Sequence, residues 1–266
     1  MKNIILLFVI ILVGCKNNDE TKPGSNDTVP PPGTIRVQDT IPIIAAPHDT
    51  LSTLVTAEKS FFYKAPDKTV YKVTVVPDED PAANQPLNCN EVRFGGHDRK
   101  VAKISVATGA TEQKTFENFL HSLKPDSFMK SLNISKDTNS NRVSFEKRNV
   151  KLKNVFLYAI KREPDNDYHL IIGSKTGTPF FTVEISGLPP TGSVAFTKLK
   201  QIRTLIETRF GVLCDPNFRK FSPGIPVDVS GSIFFDVDHS AGTVGPIGLR
   251  PQTAWEMHPA TGILFH

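Results

Sequence analysis

The sequence predicts a β-rich α+β protein. Residues 143–266 read as an OB-like five-stranded barrel with one helix, preceded by a small α+β region over 57–142. Three observations carry that prediction. Apolar and polar residues alternate through "NVKLKNVFLYAIKRE", the period of a half-buried strand. Phe196, Leu199, Ile202, Leu205, Ile206 and Phe210 recur at helical spacing. The element order around them is three strands, a helix and two strands, that of a small closed sheet with a helix plugging one end.

From the N-terminus, Lys2 supplies a positive charge ahead of the apolar run Ile4 to Val13, which is too short to cross a bilayer and fits a signal-peptide core. The run ends in Leu12-Val13-Gly14-Cys15, which looks like a lipobox, so residues 1–14 are expected to be removed and Cys15 acylated. Each buried methylene contributes about 0.8 kcal/mol, so several acyl chains on one cysteine hold a protein at a membrane where a single chain does not. No later run approaches the roughly 20 apolar residues of a spanning helix. Residues 15–56 are rich in Pro, Asn, Asp and Thr and read as a tether, with one short apolar patch from Ile41 to Ala46. The stretch "KNNDETK" after Cys15 resembles the acidic tethers of outer-membrane and surface lipoproteins. The expected address is therefore the cell envelope, lipid-anchored at the outer membrane.

The folded part begins near Glu58. "SFFYKAPDKTVYKVTVVPDED" predicts short strands broken by Pro66 and Pro77, and "NEVRFGGHDRKVAKISVATG" a further hairpin. "TEQKTFENFLHSLK" predicts a helix with Thr111 as its cap. After the alternating strand, "PDND" is a turn, "YHLIIG" a second strand, "SKTG" a turn and "PFFTVEIS" a third strand. The helix starts at a Ser193 cap and stops at Gly211. "VDVSGSIFFDVD" is the fourth strand and "AWEMH" the fifth, with "GILF" either extending it or adding a sixth.

The stretches "YAIKREPDNDYHL", "VEISGLPP" and "FFDVDH…GTVGP…TAWEMHP" resemble an uncharacterised bacterial family of secreted and lipoprotein domains. That resemblance covers about the last 120 residues. It implies that these blocks belong to one domain, and it brings no activity or ligand with it.

With Cys15 acylated, Cys89 and Cys214 remain; in an oxidising compartment they either pair or stay as two buried thiols. The mature chain carries 30 basic against 27 acidic residues, a charge of +3, too small and scattered to indicate a nucleic-acid partner.

Side chains two apart share a strand face, which pairs Asp167 with His169, Asp236 with Asp238 and Glu256 with His258. Together with His239 they offer N and O ligands for a divalent metal, or a metal-activated water with a general base. The opposing expectation is structural. Asp236, Asp238 or His239 would accept hydrogen bonds from the glycine-rich loop "SAGTVGPIG", and Arg250 would neutralise an aspartate. Barrel topology places Asp236, Asp238, Glu256 and His258 together and Asp167 and His169 at the other end, so convergence of all six is not expected. The structural role is favoured.

Trp255 and Tyr158 are candidates for an aromatic ligand platform, against the alternative that they fill the core. No nucleophile elbow and no phosphate-cradling loop occurs. The barrel order is similar to that of staphylococcal-type nucleases, but Arg162, Arg203 and Arg209 are not spaced with the carboxylates as such chemistry needs. The functional expectation is an envelope binding or assembly module for a carbohydrate, peptide or protein, the alternative a metal-dependent hydrolase.

Overall fold

A computed structural model describes residues 59–78 and 87–266. The expected signal peptide, Cys15, the tether and its apolar patch lie outside the described residues.

Eight strands form one mixed sheet: β1 (Lys59–Lys64), β2 (Val70–Val76), β3 (Thr111–Lys114), β4 (Asn149–Arg162), β5 (Tyr168–Ser174), β6 (Gly177–Ile185), β7 (Phe218–Phe235) and β8 (Trp255–Phe265). Their order is β1-β2-β7-β8-β6-β5-β4-β3, and β4 also pairs with β7. The pairing therefore returns on itself through β4, β5, β6, β8 and β7. Within this cycle only β6–β8 is parallel. The strands of the N-terminal region join the same sheet: β2 pairs antiparallel with the start of β7 and β3 pairs parallel with the start of β4.

The alternation in β4 has its expected effect. Val150, Leu152, Val155 and Leu157 are buried in the main core, while Lys153 and Asn154 are exposed. Asn154 has a positive φ of 54° at the point where the β4–β7 register shifts, so the strand bends there. From Ala159 onward β4 is buried on both faces, as is most of β5 and β6. Leu170, Ile172, Phe181, Val183 and Ile185 face the core, together with Ile233, Phe235, Trp255 and Met257 from β7 and β8. Alternate residues point the other way, under a cover in which Phe94 packs on His258 and Arg99 and Lys103 lie over the Phe234 ring.

Helix α4 (Phe196–Phe210) buries Leu199, Ile202, Ile206 and Phe210, and Gly211 ends it at φ 75°. Leu205 departs from the predicted stripe and is 40% exposed. The helix starts at Ala195 with no side-chain cap, so Ser193 does not cap it. The predicted hairpin near residues 91–110 is instead a single bridge, Arg93 with Leu188, followed by the short helix α1 (Lys100–Lys103). Thr111 lies in β3. The cap of α2 (Phe116–His121) is Thr115, whose hydroxyl accepts from the Asn118 N–H at 3.3 Å. Helix α3 (Asp126–Ser131) follows. "GILF" extends β8.

A disulfide joins Cys89 to Cys214 with Cα atoms 5.4 Å apart, fastening the cover to the segment after α4. Arg99 of the cover binds both carboxylate oxygens of Glu146 at 2.8 and 2.7 Å. Glu146 in turn accepts the backbone N–H groups of Phe235 and Val143.

Candidate functional site: a buried belt of carboxylates and histidines

Strand register builds the site. Lys161 of β4 lies opposite His169 of β5, and His169 opposite Glu184 of β6. Thr182 of β6 lies opposite Glu256 of β8, and Glu256 opposite Phe234 of β7. All of these point away from the main core, and the polar ones form a belt across β4, β5, β6 and β8. Glu163, Asp165 and Asp167 enter it from the β4–β5 turn, Asp236 and His239 from the loop after β7, Lys103 from α1 and Asp78 from beyond β2.

The contacts are close. His169 Nδ1 lies 2.5 Å from Glu184 Oε1 and 3.4 Å from Glu163 Oε1. Lys161 Nζ bridges Asp78 at 2.5 Å and Glu163 at 3.0 Å. His258 sits between Asp167, at 3.2 Å from Nε2, and Glu256, at 3.5 Å from Nδ1. His239 Nδ1 lies 3.3 Å from Asp236 and 3.6 Å from Glu256, and Lys103 Nζ is 3.4 Å from Asp236. The rings of Phe94 and Phe234 pack against His258. His169, Asp167 and His258 are each 1% exposed, so solvent reaches the belt only at its margins.

Several of these close contacts are not hydrogen bonds. Neither ring nitrogen of His169 or of His258 has a hydrogen-bond partner, nor does Glu184 Oε2. The 2.5 Å approach of Glu184 Oε1 to His169 Nδ1 is an ion pair.

Seven carboxyl groups face two lysines here, and the ionisation of the belt follows from that excess. Burial disfavours the charged ring of His169, but the Glu184 and Glu163 carboxylates outweigh it and lift it to about 10. His258 rises to about 9 against the same burial through Asp167 and Glu256, and His239 to about 9 through Glu256 and Asp236. Burial pushes Glu184 up to about 8, and burial with Asp167 and Glu163 does the same to Asp165. Glu256 goes down, because His239 and His258 overcome its burial. Lys103 is raised by Asp236 and Glu256 despite burial.

The structure corrects the expected layout at several points. Asp167 does not stand apart from the C-terminal acids: its Oδ2 meets His258, while its Oδ1 accepts the Gly187 N–H at 2.6 Å. His169 joins the same belt through Glu184. Asp238 lies outside it, paired with Lys136 at the surface. Asp236 accepts the N–H of Asp238 at 2.8 Å and no N–H of the glycine-rich loop. That loop is held by Arg250, which donates to the Gly245 carbonyl at 3.1 Å, and by the Gly242 N–H on the Pro251 carbonyl at 2.7 Å. Trp255 is 1% exposed, with its Nε1–H on the Lys124 carbonyl at 2.7 Å and its ring on Phe235, so it is core and not a platform. Tyr158 is half-buried and donates to the Ser174 carbonyl at 2.7 Å.

Sequence reasoning missed Glu163, Asp165, Glu184, Lys103, Lys161 and Asp78. One signal was available. Glu184 stands between Val183 and Ile185 in "TVEIS", the one charge in a strand whose other side chains are uncharged.

Among the described residues two groups offer metal-ligand geometry: Glu163, His169 and Glu184, and Asp236, His239 and Glu256, each with ligand atoms within 4.8 Å of one another. A different feature is open to solvent. A cleft of about 840 Å³ lies between the start of α2, the β4 bend at Lys153–Asn154 and the β5–β6 turn at Ser174–Thr176. Lys114, Lys153 and Lys175 line it together with Asn118 and Thr176. Comparison of the chain with protein-family models, with curated proteins and with solved structures returns no match.

Proposed function

We propose that this chain is a lipid-anchored envelope protein, tethered through Cys15, whose OB-like barrel serves as a binding module for an acidic carbohydrate. The cyclic pairing β4-β5-β6-β8-β7, with its parallel β6–β8 step and with α4 inserted between β6 and β7, supports the barrel reading. The lipobox and the tether composition support the anchor and the address.

The observation that carries the ligand class is the open cleft. Three lysines, of which Lys114 is paired with Glu112 at 3.3 Å, against Glu117 favour an anion, and the side-chain amides and hydroxyls of Gln113, Asn118, Asn154, Ser174 and Thr176 suit the hydroxyls of a sugar. The belt, by contrast, is closed over by its cover and acts as a brace. Titration with an acidic oligosaccharide such as oligogalacturonate, beside a neutral oligosaccharide of equal length, tests the reading. The acidic ligand should bind and the neutral one should not, and the pair Lys153→Ala and Lys175→Ala should weaken binding at least about tenfold, or 1.4 kcal/mol. Equal affinity for both sugars, or none for either, rejects it.

The second reading, a metal-dependent hydrolase, is favoured by one observation: His239, beside Asp236 and Glu256, has a 38% exposed side chain at the belt's margin. Manganese- or zinc-dependent cleavage of an activated phosphodiester, abolished by Asp236→Asn, would place it first.

A further inference from the structure

The group formed by Glu163, His169 and Glu184 differs from a surface acid cluster in what it leaves unsatisfied. His169 is 1% exposed and both its ring nitrogens lack a hydrogen bond; the neighbouring Glu184 Oε2, equally buried, lacks one too. Nδ1 is the nitrogen that faces the two carboxylates. Sheet register holds the three groups in place. His169 and Glu184 are directly paired across β5 and β6, and Glu163 is fixed by a turn in which its N–H meets the Asp167 carbonyl at 2.9 Å.

The distances suit an ion of zinc's size. Ligand bonds of about 2.0–2.1 Å in a tetrahedron put ligand atoms roughly 3.3 Å apart. The Nδ1 to Glu163 separation is already 3.4 Å, and the 2.5 Å pair with Glu184 opens by less than about 1 Å to match. One imidazole and two carboxylates form a donor set for zinc or a related first-row ion, whereas magnesium and calcium take oxygen alone. Lys161 borders the site but has Asp78 as its own partner at 2.5 Å, so it is not left alone when Glu163 turns to an ion. Glu163, with 21% of its side chain exposed, is the approach from solvent and leaves the fourth position to water.

We infer that Glu163, His169 and Glu184 form a closed binding site for a zinc-class divalent ion that pins the β4–β5 turn to β6. The ion takes Nδ1 of His169 and one oxygen from each carboxylate, and replaces the protons that otherwise offset the belt's surplus of acids. This site is separate from the carbohydrate cleft, and neither proposal depends on the other.

Calorimetric titration of the metal-free full chain with Zn²⁺ tests it, together with anomalous scattering from Zn²⁺-soaked crystals. The expected results are an equivalent bound more tightly than about 0.1 mM and an anomalous peak between His169 and the two carboxylates. Glu184→Gln and His169→Gln should each lower that affinity at least tenfold, whereas Asp236→Asn should not. Should either variant misfold, the anomalous map of the unaltered chain decides. No bound equivalent, or a peak confined to Asp236, His239 and Glu256, overturns the inference.

Discussion

His258 Nε2 lies 3.2 Å from Asp167 Oδ2, joining β8 to the β4–β5 turn across 91 residues of chain. Glu256 flanks the other ring nitrogen, and together these carboxylates raise His258 to about 9 despite its burial. A histidine raised in the folded state stabilises fully below its unfolded value near 6.5 and loses that contribution as pH rises through 9. Unfolding free energy should therefore fall by about 2–3 kcal/mol between pH 6.5 and 9.5 through this residue. His258→Gln should flatten the slope in urea titrations at those two pH values. A slope unchanged by the substitution would contradict the pairing.

Arg99 and Glu146 form a two-pronged ion pair with 1% and 0% exposed side chains. Removing one partner strands the other charge in the interior, at a cost of about 3–5 kcal/mol. Arg99→Met and Glu146→Gln should each lower the unfolding midpoint by that equivalent. The double variant should recover part of the loss, which a double-mutant cycle measures directly.

The Cys89–Cys214 bond closes a loop of 125 residues. Crosslinks of this kind contribute about 2–5 kcal/mol, chiefly by restricting the unfolded chain. The Cys89→Ser/Cys214→Ser variant should unfold at correspondingly lower urea. Adding reductant should shift the native protein to the same midpoint and leave the variant where it is.

Trp255 is the single tryptophan and is sealed in the core. Its emission should be blue-shifted, resistant to iodide and insensitive to a carbohydrate in the cleft. Trp255→Ala should cost about 3–5 kcal/mol through the cavity it leaves. Quenching of the native protein by iodide would contradict the buried placement.

The period of two in "NVKLKNVFL" and the helical stripe from Leu199 to Phe210 made the first part of β4 and α4 legible, because each has one wet and one dry face. β7 was legible only from Val227. Its first half contains Pro223, Gly224 and Pro226, residues that normally break strands, and pairing with β2 and β4 overrides them. Thr111–Lys114 has no apolar period, so only its parallel partner β4 makes it a strand. The belt was half legible. Asp236, Glu256, His258, Asp167 and His169 stood out in sequence, but a polar residue on the outer face of a strand reads as solvent-facing. Glu184 and Lys161 are buried and Glu163 is half-buried, and no local pattern in the sequence encodes that.

The pairing of β4 with β7 sets Asn149 against Ser232, and β8 then stands between β7 and β6. A nascent polypeptide halted before Trp255 on the ribosome would hold most of the apolar side chains of this interior but none of the strand that bridges those two. The cycle of pairings therefore closes only once β8 is in place, and long-range pairing of this kind makes that step slow. Until then Asp167 lacks the His258 imidazole that faces it in the completed sheet.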